Sequence, residues 1–284
     1  MNRYLMISVI ATVSLAIFLA TPAAADPFFF STGNPDGLIG TLSVPASPGR
    51  IETETADDFV LTHTTTITQA TFTGLLPVGA PLSNVQNVEI ELYHVFPVDS
   101  ATPPSGHVDT RVNSPSDVQF AAFDQVTGTL SVTAGVLSPS FTTLNTVVNG
   151  IHPIPNQFTG GEGPATGEEV RFTVAFSPAV TLPADHYFFR PEVQLTSGDF
   201  LWLSAPRPIV PPGTPFTPDL QTWIRNGYLA PAWLRIGTDI THQGPFNATF
   251  SLAGTTVPEP STLLLLGAGV AVLVAWRRKQ IRGR

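Results

Sequence analysis

The sequence has no cysteine, a single lysine (Lys279) and two methionines, and only 12% of its 284 residues are charged. Without cysteine there can be no disulfide, thiolate nucleophile, cysteine-ligated zinc or iron–sulfur cluster. Charge is scarce beside the roughly 25% of an ordinary soluble domain. Thr, Ser, Pro and Gly fill the place of the missing charges, a composition suited to strands and turns and poor for helices. Hydrophobic residues still make up 43% of the chain, so a core can be built. Five of the thirteen basic residues, including the only lysine, fall in the last eight positions. Residues 26–256 hold 20 acidic side chains against 7 arginines, a net charge of −13. Such a surface repels polyanions, which excludes nucleic acid as a partner.

Catalytic signatures are missing too. His63, His94, His107, His152, His186 and His242 are isolated from one another, with no His-x-x-x-His or His-Glu-x-x-His pair. There is no Gly-x-Ser-x-Gly elbow. The glycine-rich "GGEGPATGEE" lacks the strand–turn–helix setting of a phosphate loop and reads as a flexible connection.

What is present begins at the two ends. Arg3, the apolar stretch "LMISVIATVSLAIFLA" and the small residues of "TPAAAD" predict a signal peptide over residues 1–25, cut before Asp26. At the other end, Thr262 to Trp276 are uncharged and mostly apolar, followed by Arg277, Arg278 and Lys279 in a basic tail over 277–284. Fifteen helical residues reach about 22 Å, short of a hydrocarbon core of about 30 Å. The run is apolar all round, with no polar stripe, and Trp276 stands where an interfacial anchor belongs. These features predict a short transmembrane helix over 262–276, with Arg277, Arg278 and Lys279 as a cytoplasmic stop signal.

Immediately before that run stands Val257-Pro258-Glu259-Pro260-Ser261-Thr262. The Pro-Glu-Pro, the short apolar helix and the Arg-rich end, in that order behind a signal peptide, resemble the PEP-CTERM sorting signal of Gram-negative bacteria. The resemblance spans residues 257–284. It implies that an exosortase, a membrane transpeptidase, recognises Pro258, Glu259 and Pro260 as substrate and removes the tail. The protein would then pass from the inner membrane to the cell surface or the extracellular polymer. Two prolines keep the motif extended at the membrane face, and a short helix suits a temporary anchor.

Between the ends, residues 26–256 read as one exported domain. Stretches such as "NVEIELYHVF", "EEVRFTVAFSPAVTL" and "DFLWLSA" alternate apolar and polar residues between Pro/Gly/Asn/Asp punctuation. They predict an all-β fold, an antiparallel two-sheet sandwich of jelly-roll-like type. "DLQTWIRNGYL" (219–229) is read as a helical turn or two capped by Asp219. No internal repeat and no compositional break divides the domain.

Three groups in this domain invite a chemical reading. Glu52, Glu54, Asp57 and Asp58 gather at a strand entrance, either as oxygen ligands for calcium or as an acidic edge that discourages strand pairing. Glu89 and Glu91 share one strand face, read as a solvated face, with paired-carboxylate glycoside hydrolysis as the alternative. Trp223, Tyr228 and Trp233 are candidates for stacking on sugar rings, although large aromatics more often fill cores. Taken together, these features predict a non-enzymatic surface or matrix protein associated with exopolysaccharide. The alternative is an exported carbohydrate-active enzyme on a jelly-roll scaffold.

Overall fold

The computed structural model describes residues 25–99, 111–151 and 158–258, together with Gly269 and Leu273. The chain divides into two compact units, Pro27–Thr255 and a second made of Met1–Asp26 with Thr256–Arg284. In the second unit, the Thr256 amide donates to the Asp26 carbonyl (2.9 Å), and Gly269 and Leu273 are helical. No helix among the described residues is long and apolar enough to cross a membrane. The predicted signal peptide apart from Ala25, the rest of the predicted span, and Glu259, Pro260, Arg277, Arg278 and Lys279 lie outside the described residues.

The large unit is all-β. Its strands are β1 (Pro27–Ser31), β2 (Ile39–Leu42), β3 (Thr53–Leu61), β4 (Thr65–Leu76), β5 (Val85–His94), β6 (Ala121–Asp124), β7 (Leu130–Thr143) and β8 (Asn145–Val147). They continue with β9 (Ala165–Leu182), β10 (Asp185–Leu195), β11 (Leu201–Ala205), β12 (Trp223–Asn226), β13 (Leu234–Arg235), β14 (Asn247–Ala248) and β15 (Phe250–Thr256). One sheet runs β1-β15-β4-β11-β2-β8, with β9 and β7 added along the free side of β4 and β14 on β11. The other runs β13-β12-β3-β10-β5-β6. β2 runs parallel to β8, and β1–β15, β3–β10, β5–β10, β4–β9, β7–β9 and the other pairs of known register are antiparallel.

Two short connections tie the sheets together. β3 and β4 are consecutive but lie in different sheets, as are β9 and β10. β3 pairs with β10 in one sheet while β4 pairs with β9 in the other, so a double ribbon folds across both layers. Alternation then directs one face of each strand inward. Phe59 and Leu61 of β3, Val88, Ile90 and Leu92 of β5, and Phe189 and Val193 of β10 meet Phe72, Phe172, Val174, Trp202 and Phe250 of the opposite sheet in one core. Phe72 stacks on Phe172 at 5.0 Å and Phe189 on Phe250 at 5.0 Å. Glycine fixes two close approaches. A Cβ on Gly74 would strike the Phe200 ring, and one on Gly254 of β15 would strike the Thr66 carbonyl of β4.

The 219–229 segment corrects the helical expectation. Trp223–Asn226 form β12, pairing Trp223 with Ala56 and Arg225 with Glu54. Four residues are too few for periodicity to separate the two states, and the free edge of β3 decides.

Candidate functional site

The outer face of the second sheet carries most of the unusual chemistry. By register Arg190 of β10 sits opposite Glu91 of β5, Glu192 opposite Glu89, and Glu54 of β3 opposite Arg225 of β12. Arg190 therefore lies among carboxylates, 2.8 Å from Glu54, 2.9 Å from Glu91, 3.3 Å from Glu52 and 2.5 Å from Glu192. Arg225 donates to Glu54 through two nitrogens and packs over the rings of Trp233 (4.3 Å) and Tyr93 (5.4 Å). The Tyr93 hydroxyl is 2.9 Å from Glu54 Oε1 and 2.5 Å from Glu91 Oε2.

This face is covered. Arg225 Nη1 donates to the carbonyls of Asp117 and Pro231, and Trp233 Nε1 donates to that of Ser116. Both coverings come from loops. The electrostatics follow from burial. Burial would raise the Glu54 carboxyl, but Arg190 and Arg225 hold it below its usual range. Burial pushes Glu192 well above its usual range, helped by Glu54, Glu52 and Glu89 and opposed by Arg190. Tyr93 is raised by burial and then by Glu54. The expected solvated face is thus corrected: Glu91 is mostly buried beside Arg190, and Glu89 is half-buried beside Asn87 and Asp124.

The acidic run at the start of β3 also differs from its reading. Successive side chains of a strand point to opposite faces, which sets Asp57 apart from Glu54 and Asp58, and Asp58 lies four residues along the strand from Glu54 with a different partner, so the four do not converge on one point. Glu52 and Glu54 face Arg190. Asp57 accepts from the Ala248 amide (2.8 Å) and from Thr222 Oγ1 (3.1 Å). Asp58 lies 2.6 Å from His186 Nε2 and accepts from the Leu220 amide (3.0 Å). No group of three or more metal-ligating side chains is assembled among the described residues. Nor is the run an exposed edge, because β3 lies between β12 and β10. Burial raises both aspartates, Asp57 well above the usual range with Asp58 adding to it, while the His186 hydrogen bond works against the rise at Asp58.

The function of the two aspartates is to hold a loop. They grip residues 220 and 222 from opposite faces of β3, and Arg207 donates to the carbonyls of Asp219 and Leu220 while pairing with the Asp219 carboxylate at 3.2 Å. The braced segment forms one wall of a cleft of about 390 Å³, lined by Val112, Asn113, Asp219, Leu220, Gln221, Trp223 and Arg235. Of the predicted aromatic trio, Trp223 (1% exposed) lines this cleft, Trp233 is fully buried behind Arg225, and Tyr228 stands apart at 82% exposure. The three do not form a stacking platform. Sequence reasoning missed Arg190, Glu192 and Gln221, and named Asp219 only as a helix cap. Its one signal was an Arg and a Glu inside the apolar strand "FFRPEVQL".

The tail brings a different kind of site. Residues 256–279 match the family model described as the PEP-CTERM protein-sorting motif. The chain carries a PEP-CTERM sorting signal. No curated protein and no solved structure is significantly similar to the chain. The sorting signal marks an exported protein targeted to an exosortase and held transiently at the membrane through its C-terminal tail. Pro258, the first residue of the Pro-Glu-Pro, follows directly on β15 and Val257 in sequence. The motif therefore begins where the sheet strand ends.

Proposed function

We propose that this is a non-catalytic protein of the cell surface or extracellular matrix, released from its membrane anchor by exosortase at Pro258–Pro260 and associated through its β-domain with exopolysaccharide. The observation that carries the reading is the sorting signal at 256–279. Support for a non-catalytic role comes from the carboxylates. Glu91 is paired with Arg190 and Glu89 accepts from Asn87, so both carboxylates are engaged within the protein. The conserved chemistry of glycoside hydrolysis needs two carboxyls across an open cleft, roughly 5–10 Å apart.

The test is intact-mass analysis of protein from the native surface fraction, beside a strain expressing Glu259→Ala. The expected native mass lacks residues 1–25 and the region after the Pro-Glu-Pro. The variant is expected in the membrane fraction with its tail. A full-length tail in both strains would make the helix a permanent anchor and sink the processing step. Co-sedimentation of the native protein with the host's extracellular polysaccharide tests the association.

A further inference from the structure

Among the described residues, buried indole nitrogens are matched to acceptors with one exception. Trp202 Nε1 donates to the Thr249 carbonyl at 2.8 Å, and Trp233 Nε1 to the Ser116 carbonyl at 3.3 Å. Trp223 is as deeply buried, yet its Nε1 has no hydrogen-bond partner in the structure. A buried indole N–H ordinarily finds an acceptor, because leaving it unmade costs the desolvation of the group. Trp223 is also the one of these three that lines the cleft.

The rest of the lining says what kind of acceptor fits. Gln221 spends its Oε1 on the Thr238 hydroxyl (3.1 Å), which orients its amide N–H₂ as a donor. Asp219 supplies carboxylate oxygens, and Val112 and Leu220 supply aliphatic surface. The two charges in the wall are matched within the protein, Asp219 by Arg207 (3.2 Å) and Arg235 by Asp239 (2.6 Å). An ionic ligand would have to break those pairs. A neutral ligand bearing both hydroxyl donors and hydroxyl acceptors would not. The cleft, at about 390 Å³, falls within the roughly 300–1,000 Å³ range of small-molecule sites.

We propose that this cleft binds a neutral glycosyl unit, with Trp223 Nε1 and Gln221 donating to sugar oxygens and Asp219 accepting from a sugar hydroxyl. The assignment rests on the polymer-association reading above and gives it a place on the domain. The aspartates of β3 enter as positioning residues, since Asp57 and Asp58 fix the Asp219–Thr222 wall without touching the cleft's ligand.

The experiment uses ¹⁵N-labelled protein in the form recovered from its native host, titrated with glucose, galactose, mannose, N-acetylglucosamine and their disaccharides. The expected result is a saturable shift of one indole N–H resonance, absent from Trp223→Phe. Trp223→Phe and Gln221→Ala should each weaken binding at least tenfold. Gln221 is only half-buried, so its variant keeps the test alive if Trp223→Phe fails to fold. No indole shift with any of these sugars, or equal binding by wild type and Gln221→Ala, overturns the site. Co-sedimentation separates the two ideas. Polymer retention of wild type and both variants alike, with no indole shift, removes the cleft and leaves the association. An indole shift with no polymer retention removes the association and leaves the cleft.

Discussion

Arg190 and Glu192, two residues apart on β10, meet at 2.5 Å on a sheet face where the arginine is 2% exposed and the glutamate not at all. The pair sits inside a larger set, since Glu52, Glu54 and Glu91 also lie within 3.3 Å of the same guanidinium. Arg190 thus balances several carboxylates, with Arg225 sharing Glu54.

Removing that cation strands its partners. Arg190→Met is expected to cost about 3–5 kcal/mol, the usual penalty for breaking a buried ion pair from one side. Urea denaturation of wild type and variant measures it. A loss below about 1 kcal/mol would mean that Arg225 or solvent takes over the balancing, and that Arg190 is not the hub.

Glu192 gives the pH dependence. Its folded-state pKa is raised above the ordinary 4.5 by burial, so between 4.5 and the raised value the folded chain holds a proton that the unfolded chain has lost. Stability from this group is complete below about 4.5 and falls as pH rises through the folded pKa, by about 1.4 kcal/mol for each unit of elevation. Glu192→Gln keeps the shape and removes the proton. It should flatten the alkaline decline and raise Tm relative to wild type near pH 7. Parallel Tm curves for the two proteins from pH 4 to 8 would show that Glu192 does not titrate in that window.

Asp58 makes the third prediction. Its carboxylate receives the Leu220 amide and faces His186. Asp58→Ala should free that amide, raising its hydrogen-exchange rate, and destabilise the fold by about 1–3 kcal/mol as a buried donor goes unmet. The Ala248 amide, held by Asp57, should stay protected. Loss of protection at both amides together would show that the wall and β14 unfold as one unit, with no separate brace.

How much of this was legible can be argued from single strands. In β5 the alternation of Val88, Ile90 and Leu92 placed those residues inward, and they are in the core. The same alternation placed Glu89, Glu91 and Tyr93 outward, also correctly. It could not say that the outward face is roofed, because the roof comes from segments around Ser116 and Pro231, far away in the chain. The run from Glu52 to Asp58 is the opposite case. A strand sends neighbours to opposite faces, so the separation of Asp57 from Glu54 and Asp58 was contained in the strand assignment itself, while the split of Glu54 from Asp58, four residues along one face, depends on their partners Arg190 and His186. Trp223 was singled out as an aromatic, but its significance lies in an unmatched N–H, which only packing reveals. The sorting signal needed no fold at all, because the order of its parts in the sequence carries it.

The strand that leads into the tail has one more property. β15 is flanked by β1 on one side and β4 on the other, with Pro27 paired to Thr255 and Ser31 to Ser251. Thr71 Oγ1 lies 2.7 Å from Ser251 Oγ on the β4 side. Ladder hydrogen bonds run across the strand axis. Tension entering this unit at Thr255 therefore pulls β15 lengthwise against two ladders at once, in shear, where an edge strand pulled sideways would unzip one bond after another. A domain tethered at this end and gripped elsewhere resists force at the strand where the force arrives.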